Sequence, residues 1–139
     1  TAACDAKSPR AAQIERFALA NDLIESNVMG ALNSNLAFFK GLSAGGAFED
    51  PLTESDMVAE VWTQEGDIRQ DTADWMYPYL MLAYQPLTDA EFDQYIAFSQ
   101  TPEGKKINAA IFAAFDAMFV QLSQDLGRSA AKLMQGEDI

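Results

Sequence analysis

Several residue types on which metal and cofactor chemistry depends are absent or scarce in this 139-residue chain. There is no histidine and a single cysteine, Cys4, so zinc, haem and copper sites lack their usual ligands. Ser129 and Lys132 have the spacing of a Ser–Lys pair, but they fall in the last turns of a predicted helix. No phosphate-binding loop and no dinucleotide-binding glycine motif occurs. We therefore predict that the protein is not an enzyme and holds no cofactor and no metal.

Long apolar runs are also missing, so we expect no transmembrane segment. No signal peptide is recognisable. The residues before Cys4 are small, as in a lipoprotein cleavage box, but Thr1 replaces the usual apolar residue and no hydrophobic segment precedes it. A lipidated cysteine, a free thiol and a disulfide between two chains all stay open.

Basic residues are scarce, because nine lysines and arginines stand against 21 acids and the net charge is −12. This balance argues against nucleic acid and anionic membranes as partners. Residues 49–93 hold twelve of the acids and one base, Arg69. Five of these acids fall on one side of a predicted helix: Asp56, Glu60, Asp67, Asp71 and Asp74. This acidic face is either a solvated surface or the docking site of a basic protein partner, since no calcium-loop motif accompanies it.

What the chain does contain is helical periodicity. Apolar residues recur at helical spacing from Pro9 to about Gly41, with Gly30 as a candidate bend. A second pattern covers 53–84 and predicts one long helix. Gly66 and Pro78 would lower the stability of that helix. Thr88 and Glu91 form a capping box before a short helix, and Thr101-Pro102 begins another.

The last helical pattern carries the longest apolar stripe and runs to about Gln135, with Gly136 as its stop. The stripe contains Ile107, Ile111, Ala114, Phe115, Met118, Leu122, Leu126, Ser129 and Leu133. Phe112 and Phe119 lie on a neighbouring face, so we expect this helix to be packed on more than one side. We predict an all-α fold: one domain over 1–139, a bundle of four to six helices, N-terminal helices over about 9–42 and a C-terminal helical hairpin over 88–135.

The segment 88–106 contains a spaced motif, T-x-x-E followed by I-x-F-x-x-T-P-x-G-x-K. Its residues are Thr88, Glu91, Phe92, Ile96, Phe98, Thr101, Pro102, Gly104 and Lys106. Through this motif the region 53–135 resembles a bacterial family known only as domain of unknown function 2059. The resemblance implies an exported helical protein, periplasmic or secreted, with no established activity or cofactor. The motif residues themselves have structural explanations, in helix capping, packing and close helix approach.

Aromatic residues are dense for a chain of this size. Six of them could line a pocket between helices or a subunit interface: Trp62, Trp75, Tyr79, Tyr84, Tyr95 and Phe98. The ordinary alternative is a core. Three functions therefore stay open: an interaction module, with a homodimer as one form; a carrier of a small apolar ligand; and an enzyme that uses two carboxyls alone. Asp116, between Phe115 and Ala117, is the acid we expect to be partly buried.

Overall fold

The computed structural model describes residues 8–50 and 52–136, and in this part of the chain it contains six helices and no strand. The helices are α1 (Pro9–Ala20), α2 (Leu23–Ala44), α3 (Glu54–Trp62), α4 (Glu65–Ala83), α5 (Asp89–Ser99) and α6 (Pro102–Met134). The predicted all-α bundle is confirmed. Only Gln100 and Thr101 separate α5 from α6, as a helical hairpin requires.

Three of the predicted helix starts are confirmed by their capping geometry. The Ser8 side chain accepts a hydrogen bond from the Ala11 backbone N–H (3.1 Å), and Pro9 is the first residue of α1. Thr88 and Glu91 form the predicted capping box at the start of α5. α6 begins at Pro102 and ends two residues before Gly136, whose φ of 77° suits a glycine stop.

The N-terminal pattern is broken at a different place from the one we predicted. Gly30 lies inside α2 with open space around it, whereas the chain turns at Asn21 and Asp22. Asp22 adopts a φ of 51°, and the buried Asn21 side chain donates to the Phe17 carbonyl (3.0 Å). Asn and Asp tolerate such turns better than most residues, and this local chemistry outweighs the continuous apolar stripe.

The prediction of one long helix over 53–84 is wrong, since Thr63 and Gln64 separate α3 from α4. The Thr63 hydroxyl donates to the Glu60 carbonyl (2.6 Å), a local bond that competes with helix continuation. Pro78, by contrast, is exposed and lies inside α4 without ending it. The five acids of the predicted acidic face are therefore divided between two helices.

The residues form two compact units. Unit 1 contains residues up to Asn27 together with Arg69–Ile111, and unit 2 contains Val28–Ile68 together with the residues from Phe112 onward. The prediction of a single domain stays a prediction.

Unit 1 has a core of large side chains from α1, α4 and α5. Its buried members are Ile14, Phe17, Ala18, Met76, Leu80, Phe92 and Ile96. The rings of Phe17 and Phe92 lie 5.4 Å apart, and the Tyr84 ring stacks on Phe92 at 4.9 Å. Beside them Arg10 extends over the Phe92 ring (5.2 Å) and donates to the Leu87 carbonyl.

Unit 2 also buries apolar side chains, among them Leu32 and Met57, but its crossing of α2 and α6 is made by small residues. A methyl group at Gly41 would overlap the Gln124 carbonyl oxygen, and one at Gly127 would overlap the Phe38 carbonyl oxygen. A methyl group at Gly45, the residue directly after α2, would overlap the Cβ atom of Ala131, which is fully buried. The two helix backbones are therefore almost in contact, a geometry that small residues spaced four apart permit.

Candidate interaction surface

The most exposed apolar surface of unit 2 lies along α6. Five large side chains there are between 45% and 63% exposed, and we call them the α6 apolar row: Phe115, Met118, Phe119, Leu122 and Leu126. At 100° per residue they fall within an arc of about 100°, so they share one side of the helix. We expected this helix to be packed on more than one side. Along the row the side chains face outward, so this chain alone does not cover that side.

The reason lies on the opposite side of α6. Gly127 and Ala131 face α2, where the backbones are too close for any larger side chain. The large apolar residues are consequently excluded from the helix crossing. Sequence reasoning missed the small residues of the crossing, although their spacing gave a usable signal: Gly41 of α2 and Gly45 directly after this helix are four apart, as are Gly127 and Ala131 on α6.

Asp116 is half-buried on α6, as predicted, and it accepts a hydrogen bond from the Asn33 side-chain nitrogen of α2 (2.9 Å). This contact is structural in form, since a buried polar group is stabilised by a partner on the neighbouring helix. Among the described residues no group of three or more Cys, Asp or Glu side chains could hold a metal ion. The hypothesis of carboxyl-only catalysis stays untested.

The six aromatic residues predicted to line a pocket or interface have three different environments. Tyr84 and Tyr95 lie in the ring cluster of unit 1, with centroids 5.8 Å apart and with Phe17 at 4.9 Å and 5.3 Å from them. The other four are 45–60% exposed: Trp62, Trp75, Tyr79 and Phe98. Trp75 and Tyr79 form a T-shaped pair one turn apart on α4, and Trp62 belongs to unit 2.

Burial, followed by the neighbouring Tyr95, raises the pKa of Tyr84 to about 12. Tyr84 is partly buried against the core of unit 1, as in the ordinary alternative that we named, whereas Tyr95 beside it is 41% exposed. The carrier hypothesis stays a prediction.

Four residues of the motif have structural roles at the helix ends: Thr88, Glu91, Thr101 and Gly104. Glu91 accepts the Thr88 backbone N–H (2.8 Å) and hydroxyl, and these bonds hold the pKa of Glu91 below its usual value. The Thr101 hydroxyl donates to the Phe98 carbonyl (2.7 Å) and accepts from the Gly104 N–H (3.1 Å). A side chain on Gly104 would overlap the Phe98 carbonyl, so the turn between α5 and α6 needs glycine.

The acids of the predicted acidic face are exposed, with Asp56 and Glu60 on α3 and the other three on α4. Asp56 is occupied in the capping box of α3, where hydrogen bonds from the Thr53 side chain and backbone lower its pKa. Asp74 accepts a bond from Gln70 (2.8 Å). Docking of a basic partner on these acids stays a prediction, but they no longer form one continuous helix face.

Unit 1 has a shallow, open depression of about 370 Å³ that the sequence did not predict. It is lined by Arg16, Leu19, Ala20, Gln100 and Lys105. Arg16 is engaged with Asp93 (2.7 Å), and none of the six predicted aromatic residues contributes to the lining. Cys4 lies outside the described residues.

In the part of the chain that the structure describes, no helix has the length and apolar character needed to cross a membrane. No family model, no curated protein and no solved structure matches this chain.

Proposed function

We propose that the protein is a non-catalytic interaction module whose contact surface is the α6 apolar row. The observation that carries this proposal is the position of five large apolar side chains on the outer side of one helix, each about half exposed. A large apolar side chain has roughly 200 Å² of surface, so the row presents roughly 500 Å² of apolar area. Patches of this size are at the upper end of what monomeric proteins expose and are commonly functional.

The arrangement of the row also supports a contact role. The side chains are carried by a helix of 33 residues, a rigid element, rather than by a loop. Their backbone is held in place from behind by the glycine crossing with α2, so the surface is pre-organised before a partner arrives. An exported location, periplasmic or secreted in a bacterium, belongs to the same proposal and is supported by the motif at 88–106.

The proposal is tested by placing a photo-crosslinking amino acid at Leu122 and expressing the chain in its native cells. We expect one discrete covalent adduct. The matched control is the same amino acid at Leu82, which is 71% exposed on α4 and lies outside the row. Absence of any adduct at 122, or equal adducts from both positions, would contradict a contact surface on α6.

A further inference from the structure

We infer that the partner of the α6 apolar row is α6 of a second copy of this chain, in a two-fold symmetric helix pair. This inference rests on the proposed function and names the partner of the same surface. In a two-fold pair the same patch occurs on both subunits, so the patch must be self-complementary. The periodicity, the charge and the area of the row each meet that requirement.

The periodicity of the row is that of a helix-pairing seam. Four members of the row and two residues beyond it are spaced by three, four and four residues, and the pattern then begins again: Phe115, Met118, Leu122, Leu126, Ser129 and Leu133. An eleven-residue repeat corresponds to about 3.67 residues per turn, close to the natural helix period. Two such helices can stay in contact over several turns with little supercoiling, and Ser129 is the one polar residue in this seam.

The distribution of charge favours a second copy over a basic protein. The excess of acids is concentrated in residues 49–93, whereas residues 94–139 hold five acids and four bases. Beside the row, Asp125 is already paired with Arg128 of its own helix (3.3 Å). Two copies of a chain with net charge −12 repel each other, and α6 lets them meet through a segment that is close to neutral.

The area agrees with what a dimer needs. Homodimer interfaces are roughly 65% apolar, so roughly 500 Å² of apolar surface implies roughly 800 Å² per subunit once the polar rim is included. This is the area that each partner buries in an interface of standard size.

Sedimentation equilibrium on the purified chain tests the inference. We expect a mass twice the 15.2 kDa of one chain, falling to 15.2 kDa on dilution. Leu122→Glu is expected to weaken the dimer by at least about 100-fold, because a two-fold dimer contains the substitution twice and each leucine loses about 1.5 kcal/mol of burial. Leu82→Glu adds the same charge outside the row and should leave the dimer intact.

Two further measurements, of helix content and of salt dependence, complete the test. Both leucines are exposed, so circular dichroism should show unchanged helix content, and Leu126→Glu serves as a second variant if Leu122→Glu does not fold. Added salt should strengthen the dimer, since it screens the repulsion between two acidic copies.

A mass of 15.2 kDa at every concentration would overturn the inference, as would a dimer that survives Leu122→Glu and Leu126→Glu or is lost in Leu82→Glu. The crosslink at residue 122 separates this failure from that of the proposed function. An adduct with a different protein retains the contact surface and rejects the second copy. The absence of an adduct rejects both.

Discussion

The helix contacts of the two units differ in the size of the side chains at their centres. In unit 1 large apolar side chains from α1, α4 and α5 meet, and Phe92 of α5 is completely buried under Tyr84 and Arg10. In unit 2 the interior of the α2–α6 crossing is lined by glycine and alanine, and Phe119 of α6 is 49% exposed. The contrast teaches that an apolar stripe identifies the side of a helix that is suited to a packing contact. It does not show whether the contacting residues belong to the same chain or to another.

Removal of the buried Phe92 ring should have the largest effect on the free energy of unfolding. Phe92→Ala is expected to lower the free energy of unfolding by about 3–5 kcal/mol, through lost burial and the cavity that remains. Phe119→Ala, measured at a concentration where the chain is monomeric, should change it by less than about 1 kcal/mol. Urea unfolding of both variants makes the comparison. Equal losses would mean that the two units do not differ in the way we describe.

The glycine crossing provides a pair of identical substitutions in one helix with opposite expected signs. Gly41→Ala should destabilise the protein by about 1–3 kcal/mol, because the new methyl group overlaps the Gln124 backbone. Gly30→Ala, with nothing near it, should stabilise by up to about 1 kcal/mol, since alanine favours helix. Thermal unfolding of both variants should show melting temperatures on either side of that of the parent chain. A Gly41→Ala variant as stable as the parent would show that the helices are not in close contact.

The capping box of unit 1 should contribute a smaller amount to the free energy of unfolding. Thr88→Ala is expected to cost about 1 kcal/mol, because the first turn of α5 loses its hydrogen-bond acceptor. Glu91→Gln should cost less, since glutamine can take the same position in a capping box. Chemical denaturation gives both values, and an unchanged stability in Thr88→Ala would mean that the box does not hold α5.

The substitution with the smallest expected effect on stability at neutral pH is at Tyr84. The pKa of this phenol in the folded chain is about 12, above the usual 10. A raised pKa means that folding favours the neutral phenol. The resulting stability is fully present below pH 10 and is lost as the pH rises from 10 toward 12. Tyr84→Phe cannot ionise at this position, so its unfolding should be less sensitive to pH in that window. Identical pH profiles for the two proteins would contradict the burial of this phenol.

The features that the sequence predicted correctly are local ones. Helix ends are predictable because a few neighbouring residues satisfy the terminal backbone groups. The ends predicted in this way are marked by Ser8-Pro9, the Thr88–Glu91 capping box, Thr101-Pro102 and Gly136. The breaks at Asp22 and Thr63 were missed, since a side-chain bond to the backbone there competes with a continuous apolar pattern.

The outward orientation of α6 could not be predicted from periodicity. The large apolar residues and the small ones, Gly127 and Ala131, both recur at helical spacing. Which of the two faces is covered depends on the neighbouring segment, and this segment presents Gly41 of α2 and Gly45 directly after it rather than large side chains. The candidate contact surface therefore became recognisable only from the exposure of each side chain.

Met118 and Met29 allow the central prediction to be tested within one chain. Met118 belongs to the α6 apolar row and is 45% exposed, while Met29 of α2 lies outside the row and is 43% exposed. In the monomer, and in Leu122→Glu, an oxidant should convert both to the sulfoxide at similar rates. In the concentrated parent chain we predict that Met118 is protected severalfold while Met29 is not. Equal oxidation of the two methionines in the concentrated parent chain would contradict an α6-mediated pair.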